Sequence, residues 1–204
     1  LNIKAIYQGK ALINALRMYQ SEAPIETLIK TFREALSYNT FGNAETREQI
    51  SNIGRDVPYQ SRFSQADKET YLKFAVEELT KETSRSSPDV KHLLFLGVMI
   101  TRGIEQKVLT DALYVEKARA AFEQALRLSP TKPMLYLEYA QFLILIGHND
   151  LALEALKKGW EVEKSYGEMT ASFWALAAFS KREDIIERLR KEVPLSSFAN
   201  EQLM

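Results

Sequence analysis

The chain has 204 residues, 27 basic and 27 acidic residues, and no cysteine. Its 46% hydrophobic content can fill a sizeable core in one or two domains or a short repeat array, and argues against global disorder. The missing cysteine excludes a disulfide framework, a thiol nucleophile and a cysteine zinc site, and zero net charge provides no general attraction to nucleic acid.

Apolar residues recur at the three- and four-residue spacing of α-helices along most of the chain, and no run alternates long enough to indicate a strand. The sequence therefore predicts an all-α fold of about ten helices followed by a short C-terminal tail. In chain order the helices are predicted over about 4–19, 24–36, 43–58, 64–82, 88–103, 111–128, 133–147, 149–160, 168–179 and 182–193.

Local signals mark several helix starts. Ser64 with Asp67 three residues later is typical of a capping box. Ser87, followed by proline, predicts a capping serine with the proline in the first helical turn. Either Asn149 or Asp150 is expected to cap the helix that follows a glycine stop.

The pattern of small and large residues repeats with a shift of 34 residues. That shift superimposes Ala118 on Ala152 and Phe122 on Leu156, and each unit contains two helices. A small residue lets neighbouring helices approach closely, and the large residue four positions later fills the adjoining space. The repeat therefore predicts stacked antiparallel helix pairs.

One unit carries small, aromatic and proline residues at characteristic positions of its two helices. These residues are Leu93, Leu96, Gly97 and Ile100 in the first helix, and Ala118, Phe122, Ala125 and Pro130 in and after the second. The set resembles the tetratricopeptide repeat, except that nine extra residues predict an insertion around 103–111. The resemblance implies a right-handed α-solenoid whose first helices line a concave, ligand-binding groove.

The match to this repeat varies along the chain. Residues 1–84 are predicted to form N-terminal degenerate helical repeats, and residues 85–194 tetratricopeptide-like repeats that continue the same solenoid. Residues 195–204 are predicted to be the C-terminal tail. The sequence leaves open whether residues 43–84 form a true repeat.

A second resemblance concerns the first quarter of the chain. The segments that carry it are 2–4, 11–16, 35–42 and 45–49. They resemble the soluble C-terminal region of O-antigen ligase or polymerase-like membrane proteins. This resemblance, with the absence of an initiator Met, implies a fragment tethered to a bacterial inner membrane on its extracytoplasmic side. A cytoplasmic location is the alternative, and none of that family's catalytic residues can be placed here.

Candidate groove residues follow from carrying the repeat's groove-facing positions onto this chain. They are Lys10, Asn14 and Arg17; Lys91, Leu94, Val98 and Arg102; and Met134, Leu137, Glu138 and Gln141. The Lys and Asn set with which some family members clamp a terminal carboxylate is not reproduced. In the last unit Ala171, Ala175 and Ala178 would present a small-residue surface to another helix, although the helix propensity of alanine explains them equally well.

Catalytic signals are weak. His92 and His148 lie in different units and are expected to be surface or turn residues, while Glu77 and Glu78 are expected on exposed helix positions. No phosphate loop, nucleophile elbow or zinc-protease motif is present. Six aromatic residues are predicted to pack in the core rather than stack on sugars: Tyr136, Tyr139, Phe142, Trp160, Phe173 and Trp174.

The sequence therefore favours a non-catalytic helical-repeat domain with neither cofactor nor metal. Its predicted partner is a protein or peptide, or its own membrane domain, bound in the groove. The alternative is a glycan-binding or regulatory tail of a polysaccharide-assembling membrane protein. No stretch is long and apolar enough for membrane insertion of this segment, and no nucleic-acid partner is expected.

Overall fold

The computed structural model describes residues 3–84 and 88–193. Within them it shows ten α-helices, a short 3-10 helix over Val57–Tyr59 and no strand, which confirms the all-α prediction. The helices are α1 Ile3–Gln20, α2 Ile25–Ser37, α3 Asn43–Asp56, α4 Gln65–Thr83, α5 Val90–Glu105, α6 Ala112–Leu128, α7 Pro133–Leu145, α8 Asn149–Val162, α9 Gly167–Phe179 and α10 Glu183–Glu192. The predicted tail and the predicted cap Ser87 lie outside the described residues.

The chain divides into two compact units, Leu1–Ala121 and Phe122–Met204, so the division falls within α6. The boundary predicted at residue 84 separates two qualities of repeat match rather than two compact bodies, and it stays a prediction.

Unit 1 contains successive helix pairs. α1 packs on α2, α3 packs on α4, and α5 contacts both α3 and α4. The Tyr71 hydroxyl on α4 donates to the Ile50 carbonyl on α3 at 3.1 Å, and the Arg33 guanidinium of α2 lies 5.4 Å from the centre of the Phe74 ring. Residues 43–83 thus form a packed helix pair despite their poor match to the repeat.

Unit 2 is built from the pairs α7–α8 and α9–α10, with α9 packed on both α7 and α8. Phe122, in the part of α6 that belongs to this unit, contacts Tyr139 and Phe142 of α7 at ring-centre distances of 5.6 and 5.7 Å. Trp160 of α8 lies 6.1 Å from Phe173 of α9. Aromatic side chains therefore fill the spaces between successive helices.

The 34-residue repeat is visible in the backbone of unit 2. α7 and α9 both have 13 residues and begin and end 34 positions apart. The His148 amide donates to the Leu143 carbonyl, and 34 residues later the Arg182 amide donates to the Ala177 carbonyl. Both turns place one residue at positive φ, Gly147 at 80° and Lys181 at 54°. Each first helix thus ends in the same Schellman turn.

Close packing explains a glycine at one repeat position. A Cβ atom on Gly159 of α8 would approach the Cβ of Tyr136 to 2.8 Å and would clash with Met169. Ala152, one repeat after Ala118, is fully buried like it. Small residues at these positions therefore allow the approach that the sequence pattern predicts.

The predicted insertion is confirmed and is divided among three places. α5 ends eight residues after Gly97, whereas α7 ends five residues after the equivalent Ala140. The following loop has six residues after α5 but three after α7. α6 begins six residues before Ala118, but α8 begins three before Ala152. The extra residues lengthen both helices of this pair and the loop between them.

Two of the cap predictions are wrong. α5 is capped by Asp89, whose carboxylate accepts from the Lys91 amide at 2.8 Å, so the cap lies two residues after Ser87. α8 begins at Asn149 behind His148, which makes no side-chain cap bond, so Asn149 and Asp150 lie inside the helix. The capping box at Ser64 is confirmed by reciprocal bonds with Asp67.

Candidate interaction faces

The first helices in the middle of unit 1 present a shared polar surface. We define the α3–α5 face as Glu48, Asn52 and Arg55 on α3 and Tyr59 in the 3-10 helix that follows it, with Lys91, Phe95 and Arg102 on α5. The first four members recur at i, i+4, i+7 and i+11, a spacing that places residues on one side of a helix.

Side chains of the α3–α5 face contact one another across the two helices. Lys91 Nζ lies 2.6 Å from a carboxylate oxygen of Glu48, and the Arg55 guanidinium lies 4.6 Å from the centre of the Phe95 ring. Arg102 donates to the Arg55 carbonyl at 3.3 Å, and its guanidinium lies 6.0 Å from the Tyr59 ring centre. Much of this face is therefore closed by its own contacts.

Neighbouring groups also change the proton affinities of two members of the face. The hydrogen bond to Glu48 raises the pKa of the Lys91 ammonium. Burial and the hydrogen bond to Glu105 raise the pKa of the Tyr59 phenol to about 12. Because both pKa values are raised, Lys91 stays protonated and charged and Tyr59 stays protonated and neutral near neutral pH.

Unit 2 presents an equivalent surface with different chemistry. We define the α7–α9 face as Met134, Glu138, Gln141 and Leu145 on α7 with Glu168, Ser172, Ala175 and Phe179 on α9. The second set follows the first by 34 residues. Met134 is 51% exposed, Phe179 is 77% exposed, and Gln141 and Ala175 are also exposed. This face offers apolar and small side chains to solvent.

An acidic edge borders the α7–α9 face. The Tyr166 hydroxyl donates to the Glu168 carboxylate at 3.1 Å. Burial, followed by the negative charges of Glu168, Glu138 and Glu163, raises the pKa of the Tyr166 phenol. These carboxylates therefore lie close enough to act on one phenol, and they give this edge a negative potential.

The third group of candidates lies on α1. Lys10, Asn14 and Arg17 are exposed, as are four large apolar residues of the same helix. We define the α1 stripe as Ile3, Ile6, Tyr7, Lys10, Ile13, Asn14 and Arg17. Tyr7 stacks on Tyr38, the residue that follows α2, at a ring-centre distance of 6.2 Å, and Lys10 Nζ lies 5.7 Å from the Tyr7 ring centre.

The candidate residues therefore differ in exposure and in the contacts that they make. Leu94 is half-buried, and Val98 and Leu137 are buried, so the last two offer no side chain to a ligand. Lys91 and Arg102 are brought together with α3 residues that the sequence reasoning missed. The signal for those residues was their i, i+4, i+7, i+11 spacing in a segment that matches the repeat poorly.

Two expectations about polar residues are wrong. Glu78 is buried rather than exposed, because Arg47 of α3 binds it at 3.2 Å and binds Glu82 at 2.8 Å. His92 is only 6% exposed, and neither ring nitrogen has a hydrogen-bond partner among the described residues. His148 lies exposed in a turn, as expected.

The aromatic residues of unit 2 follow the core prediction in part. Phe142, Trp160 and Phe173 are buried. Tyr136, Tyr139 and Trp174 are half-buried. All six lie on helices, and half of them retain an edge that solvent reaches.

Residues 3–84 and 88–193 contain no group of three or more His, Asp or Glu side chains that could hold a metal ion. Over the same ranges, none of the helices is both long enough and apolar enough to cross a membrane.

Comparison with a solved structure identifies the fold. The chain is similar to the crystal structure of a thermophilic TPR protein from Thermus thermophilus, with a TM-score of 0.50 and 18% sequence identity. The similarity covers 89% of this chain and 87% of the other. The fold is thus a tetratricopeptide-like helical repeat. No protein-family model matches the chain, and neither does any curated protein.

Proposed function

We propose that this chain is a non-catalytic protein-interaction domain whose principal binding surface is the α7–α9 face. The observation that supports this proposal is the exposure of Met134 and Gln141 on α7 and of Ala175 and Phe179 on α9, two first helices that pack on each other. Removal of apolar side chains at such positions from water by a partner stabilises the complex. A central Gln141 supplies both a donor and an acceptor for a bound backbone.

The chemistry of the face also indicates its ligand. Small residues at Ala171 and Ala175 allow a partner backbone to approach closely, and Phe179 supplies a large apolar contact at the end of the same helix. The carboxylates of Glu138 and Glu168 act on Tyr166, which precedes α9, so they favour positive charge at the opposite end of the face from Phe179. The proposed ligand is an apolar protein segment flanked by basic residues.

Selection of peptides from a displayed random library on the purified chain tests this function. We expect the selection to yield apolar peptides with Lys or Arg flanks. We expect Ala175→Arg to lower the affinity for the selected peptide by about tenfold or more, which is about 1.4 kcal/mol. Ala120→Arg, the same exchange at an exposed position of α6, should leave the affinity unchanged. Failure to select any peptide, or equal affinities for the two variants, would contradict the proposal.

A glycan-binding tail of a polysaccharide-assembling membrane protein is the second candidate. The resemblance of four segments within residues 2–49 to the soluble C-terminal region of O-antigen ligase or polymerase-like membrane proteins implies it. One structural observation favours it. Phe41 is 84% exposed and follows Tyr38, whose ring stacks on Tyr7. Exposed aromatic faces of this kind suit the apolar face of a sugar ring.

This candidate is tested by titrating soluble O-antigen oligosaccharides against the chain and against Phe41→Ala. Saturable binding that the variant loses would support it, and absence of binding would contradict it. The reading frame upstream of Leu1 provides an independent check, since about ten hydrophobic spans are expected there.

A further inference from the structure

α1 departs from the usual pattern of a surface helix, because its outer face carries large apolar side chains. Its buried residues are Gln8, Ala11 and Ala15. Four of its large apolar residues face solvent, with Ile3 61%, Ile6 48%, Tyr7 51% and Ile13 52% exposed, whereas Leu12 and Leu16 are half-buried. A surface helix normally buries its large apolar side chains and exposes its polar ones. Because α1 leaves these four large side chains in water, its outer face has the composition of an interface.

The exposed residues follow a seven-residue period. Ile3, Lys10 and Arg17 are seven apart, and Ile6 and Ile13 occupy the intervening heptad positions. Alternating steps of three and four form the seam of a two-helix coiled coil, where each side chain inserts between residues of the facing helix. The α1 stripe runs along most of an 18-residue helix, about 27 Å of axis. This length and period match one facing helix.

The positive charge of α1 indicates which charged residues the facing helix must carry. α1 contains Lys4, Lys10 and Arg17 but no Asp or Glu. Lys10 and Arg17 lie along the middle of the stripe, so a partner that covers Ile6 and Ile13 also removes these cations from water. Buried cations require carboxylate partners, because an unpaired buried charge is strongly destabilising.

The same arrangement disfavours a lipid surface. An interfacial helix keeps its cations at the borders of the apolar face, where they reach the headgroups. Here Lys10 lies between Ile6 and Ile13, and Arg17 continues the same line, so immersion of the isoleucines would carry the cations toward hydrocarbon.

We propose that the α1 stripe binds an amphipathic helix of a partner protein, with apolar residues at heptad spacing and two carboxylates seven residues apart. The carboxylates pair with Lys10 and Arg17, and the apolar residues pack against Ile3, Ile6 and Ile13. This surface belongs to unit 1 and takes an acidic helix. It is therefore additional to the α7–α9 face, whose proposed ligand is basic.

The test uses two helix-stabilised peptides of three heptads that differ only at two positions seven residues apart. One peptide carries Glu at both positions and the other carries Lys. Fluorescence anisotropy gives the dissociation constant of each for the wild-type chain, for Lys10→Glu with Arg17→Glu, and for Lys4→Glu. Lys4 is a matched control because it has the same charge on the same helix but lies off the stripe. Circular dichroism checks that all three chains are folded.

We expect the wild-type chain and Lys4→Glu to bind the Glu peptide at least about tenfold more tightly than the Lys peptide. The double variant should reverse that preference. Ala175→Arg should bind the Glu peptide like the wild type, so this test and the test of the α7–α9 face can fail separately.

Four results would overturn the inference. Equal affinities for the two peptides, or no reversal in the double variant, would show that charge on the α1 stripe does not select a partner. A dimer of the wild-type chain that the double variant loses in light scattering would identify a second copy as the occupant. Binding of the wild-type chain, but not the double variant, to phosphatidylglycerol vesicles would identify a membrane instead.

Discussion

The α3–α5 face and the α7–α9 face occupy equivalent repeat positions, but their side chains make different contacts. In the first, Lys91 pairs with Glu48 and Arg55 lies over Phe95, so charged and aromatic side chains contact each other. In the second, Met134 and Phe179 are exposed and have no charge with which to close the face. The helical register thus fixes which positions point outward, while the side chains decide whether the surface is closed or open.

The contrast extends into the interior of each unit. In unit 1, Arg47 joins α3 to α4 through the buried carboxylates of Glu78 and Glu82. In unit 2, Gly159 and Ala152 allow close helix contacts without buried charge at those positions. The pair that matches the repeat poorly therefore contains a buried ionic contact between its two helices, whereas α8 packs closely at Ala152 and Gly159 without one at those positions.

The largest effect is expected from Ala152→Arg. Ala152 is fully buried in α8, and arginine would force a charged side chain into a close helix contact. We expect a loss on the order of 4 kcal/mol in the free energy of unfolding. Both tryptophans, Trp160 and Trp174, lie in unit 2. A denaturant titration monitored by tryptophan fluorescence therefore measures this loss of stability.

The matched control is Ala175→Arg, the same exchange at an exposed position of α9. It should change the unfolding free energy by less than about 0.5 kcal/mol. An unchanged midpoint for Ala152→Arg would refute the repeat register and, with it, the equivalence of the two faces.

A smaller effect, confined to unit 1, is expected from Arg47→Met. The variant leaves the Glu78 and Glu82 carboxylates buried without the Arg47 guanidinium. We expect the free energy of unfolding of unit 1 to fall by about 3 kcal/mol. Far-UV circular dichroism reports both units, whereas tryptophan fluorescence reports unit 2. The circular dichroism transition should therefore shift to lower denaturant than the fluorescence transition.

Adding Glu78→Leu and Glu82→Leu to Arg47→Met should recover most of the lost stability, because hydrophobic replacement removes the two buried carboxylates that Arg47 bound. If Arg47→Met alone leaves the circular dichroism transition unchanged, the buried ionic contact does not hold this helix pair together. This result would contradict the proposed difference between the interiors of the two units.

The smallest effect concerns a type of turn that occurs in both units. Lys181 and Lys107 occupy the positive-φ position that Gly147 fills in its own turn. Lys181→Gly should raise the unfolding free energy by about 0.5–1 kcal/mol, because relief of left-handed strain exceeds the added entropy of the unfolded glycine. Lys107→Gly should give a similar gain, and Gly147→Lys a loss of about 1 kcal/mol. A loss of stability in either glycine variant would show that the turns are not equivalent.

Much of the fold could be predicted because its causes are local and periodic. The shift that relates Ala118 to Ala152 needs only spacing, and nearly all helix boundaries followed from apolar period and turn residues. Caps were less predictable, since Asp89 and Ser87 both suit a helix start and only the backbone path selects one. Candidate site residues could be placed on helix faces, but not assigned to open or closed surfaces.

The sequence by itself determined an all-α chain of paired helices, a 34-residue register and the place of the insertion, because each depends on residues close along the chain. Only the tertiary structure decided that Glu78 and His92 are buried, that Lys91 binds Glu48, and that α1 turns its isoleucines outward. Those outcomes depend on which side chains meet across helices separated by tens of residues. Such contacts are set by packing, and no local spacing in the sequence specifies them.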